Sequence, residues 1–335
     1  MIGYGYRAEI SAPAEVATLE LERTHAAGGP RIVIRGATGV DGEAPGVEVR
    51  RAEALAAMPG VVAVVGHGGS RGSLVAAPIY NAAAIPHIAP TSTSRRLGDV
   101  GAWTFVLAPD DSVEGEFIAR FANADLGARS VTIFSVTDEY GAGLRDGVAR
   151  ALARRNIRVM DQVAYEPGSD LELLVRGTLA RGTPDAVVIA GRSEEASALN
   201  RLLGRYAPGV PVVAGDGALT PPMSAEADSM YVVAFWLPDS TSAPSRRFVE
   251  EYTRVTGRGP GATEALTHDA LMVVAAGIRA VGPDRVALRD WLASLGRTRP
   301  PFQGVSGPIA FGPARAEHLL MTQIRSGLPV RVGPQ

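Results

Sequence analysis

Cysteine and lysine are both absent from the 335 residues. Without cysteine there can be no disulfide, no thiolate metal ligand and no cysteine nucleophile. Without lysine all 33 basic residues are arginine, which excludes a Schiff-base amine, the phosphate-gripping lysine of a P-loop and the Tyr-x-x-x-Lys pair of short-chain dehydrogenases. Excess charge of either sign is also missing. The 35 acidic residues leave a formal charge of -2, so no positive field gathers phosphates, and nucleic acid is not expected as a partner. No apolar run reaches the ~18 residues of a spanning helix, so membrane insertion is not expected. The five histidines form no His-x-x-x-His motif and no His-Glu pair, so no metal site is expected.

Apolar residues are abundant, at 46%. A chain of this length buries a large core and divides into domains, because single cores rarely grow beyond about 250 residues. Short apolar strands are read at 2–10, 31–35, 61–65, 85–89, 130–136, 157–164, 185–190, 210–214 and 230–236. Helices are read between them at 13–27, 47–58, 73–83, 111–123, 141–155, 171–181 and 194–206. Strands such as VVAVV and AVVIA are apolar on both faces, as in parallel sheets covered by helices on either side. The fold class is therefore α/β with doubly wound parallel sheets. The alternation pauses at TFVLAPDDS and again at LPDSTSAPS. Helices at 245–256, 263–280 and 285–295 follow, and then hairpin-like strands at the end. Two sheets of similar size suit this order better than one.

A literal G-x-x-G-x-x-G, at Gly36, Gly39 and Gly42, follows the second strand. A dinucleotide site needs a helix opening inside the motif, yet Pro45 and Gly46 intervene, and the next strand ends in Gly66 and His67 rather than in an acid for a ribose. No cofactor is expected. The stretch GVVAVVGHGGSRGS differs, because Gly66, Gly68 and Gly69 open the backbone and Ser70 lies ahead of a helix whose first amides face outward. The following strand ends in Thr91, Ser92, Thr93 and Ser94. Open α/β sheets bind ligands at this carboxyl edge, and a carboxylate suits the hydroxyls and amides. Helix capping by the same residues is the simpler alternative. His67 and His87 lie against apolar strands and are read as packed or capping groups. In the second half, Tyr140 and Gly141 stand at one helix start, Arg192, Ser193 and Glu194 at another, and Asp216 lies between two glycines. Such an Asp is either a turn former or a partner for a ligand ammonium group.

The ordered segments VVAVVGHGGSRGS…AAIPHIAPTSTS, FVLAPDDS, VTIFSVTDEYGAGLRDGVARAL, PDAVVIAGRS and PVVAGDG resemble the branched-chain amino acid binding proteins of ABC importers, the type I periplasmic binding proteins. The resemblance implies two Rossmann-like lobes joined by three crossover strands, with a ligand cleft between lobes. One lobe would comprise residues 1–107 and 238–304, the other 108–237 and 305–335, with hinges at Leu107 and Ala108, Phe235 and Trp236, and near Val305. It also implies that Ser70, Ser92 and Thr93 hold a ligand carboxylate, with Gly69 and Thr91 beside them, that Tyr140 lines the cleft, and that Asp216 takes the ammonium group.

The implied activity is capture of a small amino acid or related carboxylate for an ABC transporter permease, without catalysis, in the periplasm or at the cell surface after removal of a leader. Where this family commonly carries aromatics, the chain has Arg192 and Ser193, and near the late helix Thr263 and Glu264. Together with Arg71 these residues point toward a more polar or acidic ligand. Two other readings are a ligand-sensing domain of a receptor or regulator, which keeps the fold, and a Rossmann-type oxidoreductase, which would carry bound nicotinamide.

Overall fold

The computed structural model describes residues 1–6, 12–37, 46–219, 223–239, 241–311 and 319–333. Strand β1 (Ile2–Tyr4) leads to helix α1 (Ala12–Ala26), β2 (Ile34–Gly36), α2 (Val47–Ala57), β3 (Ala63–Val65), α3 (Gly69–Ala82), β4 (His87–Ala89) and β5 (Thr104–Val106). Next come α4 (Asp111–Ala124), β6 (Ser130–Val136), α5 (Glu139–Arg154), β7 (Arg158–Tyr165), α6 (Leu171–Leu179), β8 (Ala186–Ala190), α7 (Ser193–Tyr206), β9 (Val212–Ala214) and β10 (Tyr231–Ala234). The chain continues through α8 (Ala243–Thr256), α9 (Ala262–Val281), α10 (Arg285–Ser294), β11 (Phe302–Gln303), β12 (Pro308–Ile309), β13 (Leu320–Arg325) and β14 (Leu328–Arg331). Among the described residues no helix is long and apolar enough to cross a membrane.

Two compact units emerge, one of residues 1–108 and 236–317, the other of 109–235 and 318–335. In the first, five strands pair in parallel in the order β2-β1-β3-β4-β5. Helices α2 and α3 pack together, while α1 packs on α8 and α9, and α9 on α10. One core forms around Leu55, Val64, Tyr80 and Ile85. A second forms around Val16, Trp236, Phe248, Tyr252 and Val305.

The second unit holds a seven-stranded sheet in the order β14-β13-β10-β9-β8-β6-β7. Its five strands β10-β9-β8-β6-β7 are parallel. The sheet is mixed, because β13 and β14, the hairpin-like strands read at the end of the chain, add to β10 antiparallel. No crossover helix separates these two strands. They are joined by Ser326 and Gly327, both at positive φ (51° and 77°), as a two-residue hairpin requires. Leaving the hairpin aside, both sheets reverse strand order beside their first strand, β1 in one unit and β6 in the other. That reversal opens a crevice at the carboxyl ends where ligands of such sheets bind.

The segment 305–311, assigned above to the C-terminal lobe, packs with the first unit. The physical cause is a buried carboxylate. Asp269 on α9 accepts the amides of Val305 at 2.7 Å and Ser306 at 2.8 Å, and the Trp236 indole donates to the Val305 carbonyl at 3.1 Å. The third passage between units therefore falls at 317–318 rather than near Val305, and lies outside the described residues, as do Gly39, Gly42 and Pro45 of the glycine-rich motif.

Candidate functional site

In the first unit, the expected carboxylate-binding residues gather at the ends of β3 and β4. Helix α3 starts at Gly69, four positions ahead of the expected Ser73, so Ser70 lies in its first turn and not before it. Gly68 caps the helix with backbone alone, which leaves first-turn amides without a side-chain acceptor. Ser70 Oγ accepts the Thr93 amide at 3.3 Å and keeps its own hydrogen to donate. Ser92 Oγ donates to the Gly69 carbonyl at 2.8 Å and lies 2.6 Å from Ser73 Oγ. Thr91 and Thr267 share the Tyr6 hydroxyl, which burial pushes up to about 12. Thr93 Oγ1 is buried with no hydrogen-bond partner among the described residues. Gly69, Ser70, Ser92 and Thr93 are thus brought together, with Thr91 turned to a structural bond, and the groups left for an anion are the Ser70 hydrogen, Thr93 Oγ1 and the helix amides.

Behind this corner the histidines pack, as their apolar strands implied, but they have partners that sequence proximity did not reveal. His67 Nδ1 meets Glu48 Oε2 at 2.5 Å, and Nε2 meets the Tyr80 hydroxyl at 2.8 Å. Burial lowers the His67 pKa, and the hydrogen bond from His67 holds Glu48 below the usual carboxylate range against its own burial. The network therefore assigns a neutral ring that donates from Nδ1 to Glu48 and accepts from Tyr80. His87, fully buried, bonds through Nε2 to the Gly66 carbonyl, and burial pushes it down to about 3.

The second unit places Tyr140 and Asp216 together. Tyr140 is in the first turn of α5, whose start Asp138 caps by accepting the Gly141 amide at 2.8 Å. Asp216 opens a short 3-10 turn after β9. The Tyr140 hydroxyl accepts the Gly217 amide at 2.9 Å and is hydrogen-bonded to the Asp216 carboxylate. A Cβ at Gly217 would lie 2.7 Å from the Tyr140 ring, so only glycine permits the turn to approach so closely.

Sequence reasoning missed Glu114. This residue of α4 is fully buried, and its Oε1 accepts the Asp216 amide at 2.7 Å across 102 positions of chain. Burial, then the neighbouring Asp216, drives the Glu114 pKa well above the usual range, and burial also raises Asp216 and Tyr140. Helices α4 and α5 touch through glycines: a Cβ at Gly115 would fall 2.4 Å from the Gly147 carbonyl carbon.

Arg192 does not offer a free cation. Its guanidinium pairs with Asp138 at 2.6 Å and lies 4.8 Å from the Tyr140 ring centre, and Ser193 Oγ faces the Met223 sulfur at 3.7 Å. Glu264 is likewise committed, accepting the Gly261 amide at 2.9 Å and pairing with Arg258 at 3.2 Å. The case for an acidic ligand loses both residues. A cavity of about 850 Å³ opens elsewhere on the first unit, between α1, α8, α9 and residues 302–305. Arg23, Arg247 and Arg254 there face Glu20, Glu250, Glu251 and Asp269. This balance favours no ligand charge, and none of the expected site residues lines the cavity. Among the described residues no cluster of three or more ligating side chains fits a metal ion.

Comparison with known proteins places the chain in a family. An amino acid binding protein from Pseudomonas aeruginosa is 26% identical over 243 residues, which is 70% of this chain and 64% of that protein's length. The chain thus spans less than two thirds of that curated relative. A leucine binding protein from Thermotoga maritima superposes with a TM-score of 0.84 at 22% identity, covering 99% of this chain and 97% of the other. An ABC transporter substrate-binding protein from Desulfitobacterium hafniense, solved in complex with Leu, gives 0.84 at 24% identity and 99% of both chains. The family model for periplasmic binding proteins matches residues 16–326, nearly the whole sheet-and-helix series, and the chain belongs to that family.

Proposed function

We propose that this protein captures a small amino acid, branched-chain or closely related, outside the cytoplasm and delivers it to the permease of an ABC importer. Each corner suits one charged end of an amino acid. Ser70, Thr93 and the first-turn amides of α3 receive the carboxylate, with Gly69, Ser92 and Thr91 shaping the loops around them, while Asp216 and Tyr140 receive the ammonium group. Arg192 and Ser193 frame the second corner rather than contacting a charge. Ligand binding shifts an equilibrium between open and closed arrangements by its preference for the closed one. No bond is made or broken.

The observation that carries this reading is the Asp216 carboxylate itself, whose Oδ1 is buried with no hydrogen-bond partner among the described residues. A buried acceptor of this kind is costly unless a donor arrives, and a ligand ammonium supplies one. The names of the amino acid binding relatives support the same class. A thermal-shift screen of amino acids against plain carboxylates tests it. Ligand at a hundred times its dissociation constant stabilises the fold by about 2.7 kcal/mol. Leucine, isoleucine or valine should raise the melting temperature, and a response confined to carboxylates without an amine overturns the reading.

A further inference from the structure

Asp216 does not act alone. Glu114 is fully buried on α4, yet among the described residues Oε2 has no hydrogen-bond partner, and neither does the buried Oδ1 of Asp216. Glu114 Oε1 accepts the Asp216 backbone amide at 2.7 Å, which holds the two carboxyls in one buried site. Two carboxylates in one dry site do not both ionise.

The groups that act on the pair come from each packed element. Asp111, on Glu114's own helix, adds negative charge. Tyr140 on α5 is held neutral by burial. Arg192, at the head of α7, bears on Asp216 but is paired with Asp138. The Asp216 amide and the positive end of α4 favour Glu114's charge, which is too little to ionise both acids.

We propose that Glu114 and Asp216 hold one proton between them, so that the second unit presents a single negative charge, and that a ligand ammonium group displaces this proton to solvent on binding. This rests on the amino acid reading above. Glu114 is then a positioning and charge-setting residue: it receives the Asp216 amide, fixes the turn, and couples ligand affinity to pH. With no ammonium bound, the shared proton spares the site two adjacent buried charges. With one bound, both carboxylates face a cation and the proton is no longer held.

Two measurements on the wild type and Glu114→Gln decide the matter. The first needs no ligand: thermal or urea unfolding between pH 4 and 9. A carboxyl whose folded pKa is raised contributes stability at low pH and loses it as pH rises through the folded value. The wild type should therefore weaken relative to Glu114→Gln as pH increases, and a difference that stays constant with pH overturns the shared proton.

The second is titration calorimetry with L-leucine in phosphate and in Tris, whose different heats of ionisation reveal proton transfer. The wild type should release up to about one proton per leucine, with affinity rising as much as tenfold per pH unit across the titration, while Glu114→Gln releases none. Leucine binding by the wild type without proton release overturns displacement. If none of leucine, isoleucine and valine binds, the proposed function and the displacement step fall together, and the unfolding measurement still decides whether the proton is shared.

Discussion

The two units solve one architectural problem with opposite chemistry. Each carries a candidate corner at the carboxyl ends of parallel strands beside the point where strand order reverses, and each uses the first turn of a helix there, α3 in one and α5 in the other. The first corner is lined by hydroxyls and amides over neutral histidines, the second by carboxyls and a buried tyrosine. The scaffold thus decides where a ligand meets the protein, and a few side chains decide the sign of what it meets. The buried titratable groups follow the same division. His67 and His87 are held neutral by burial and resist gaining a proton, whereas Glu114 and Asp216 resist losing one.

The largest blow to this contrast should come from Asp216→Ala. It removes one of the two carboxylates that face a buried ammonium, and breaking such a buried pair costs about 3–5 kcal/mol, so calorimetry should show leucine affinity falling by more than two orders of magnitude. An unchanged affinity would mean that the acid corner is not the amine site. Gly217→Ala comes next: its methyl must displace the Tyr140 ring, and overpacking of this kind costs roughly 1–3 kcal/mol, to be read from urea unfolding together with weakened binding.

The acid side of the pH contrast is tested at His87. A histidine held near 3 in the folded protein contributes stability above its unfolded value of about 6.5, and that stability drains away as pH falls toward the folded value. Wild type should lose stability relative to His87→Phe below about pH 6.5, by up to ~1.4 kcal/mol per pH unit, the reverse of the trend expected from Glu114. Ser70→Ala should have the smallest effect on leucine binding. It removes one neutral hydrogen-bond donor of several, about 1 kcal/mol or roughly fivefold in affinity.

Much of this was legible from sequence, for physical reasons that also explain the gaps. Helix limits came out well where capping acids mark them: Asp110 accepts the amides of Ser112 and Val113 at the start of α4, and Asp284 that of Ala287 at the start of α10. The start of α3 was placed too late because Gly69 and Gly72 are poor helix formers, and there packing overrides propensity. The first strand was read as 2–10, while β1 covers Ile2–Tyr4 and residues 7–11 lie outside the described ones. Tyr140 and Asp216 could be nominated because each stands beside glycine at a strand end. Glu114 could not, since an acid in a helix's first turn is already explained by the helix dipole, and only folding brings it to Asp216. The same holds for Glu48 beside His67. Arg192 differs again: sequence shows a cation but not the aspartate with which it pairs.

The glycine contact between α4 and α5 bears on how such a protein changes its diet over evolutionary time. With Gly115 against Gly147, the helices bearing Glu114 and Tyr140 form a single plate whose spacing no side chain can adjust. Novelty has to enter through the turn that bears Asp216. A library randomised there should yield altered preferences, while one randomised at Gly115 or Gly147 should yield mostly unfolded clones.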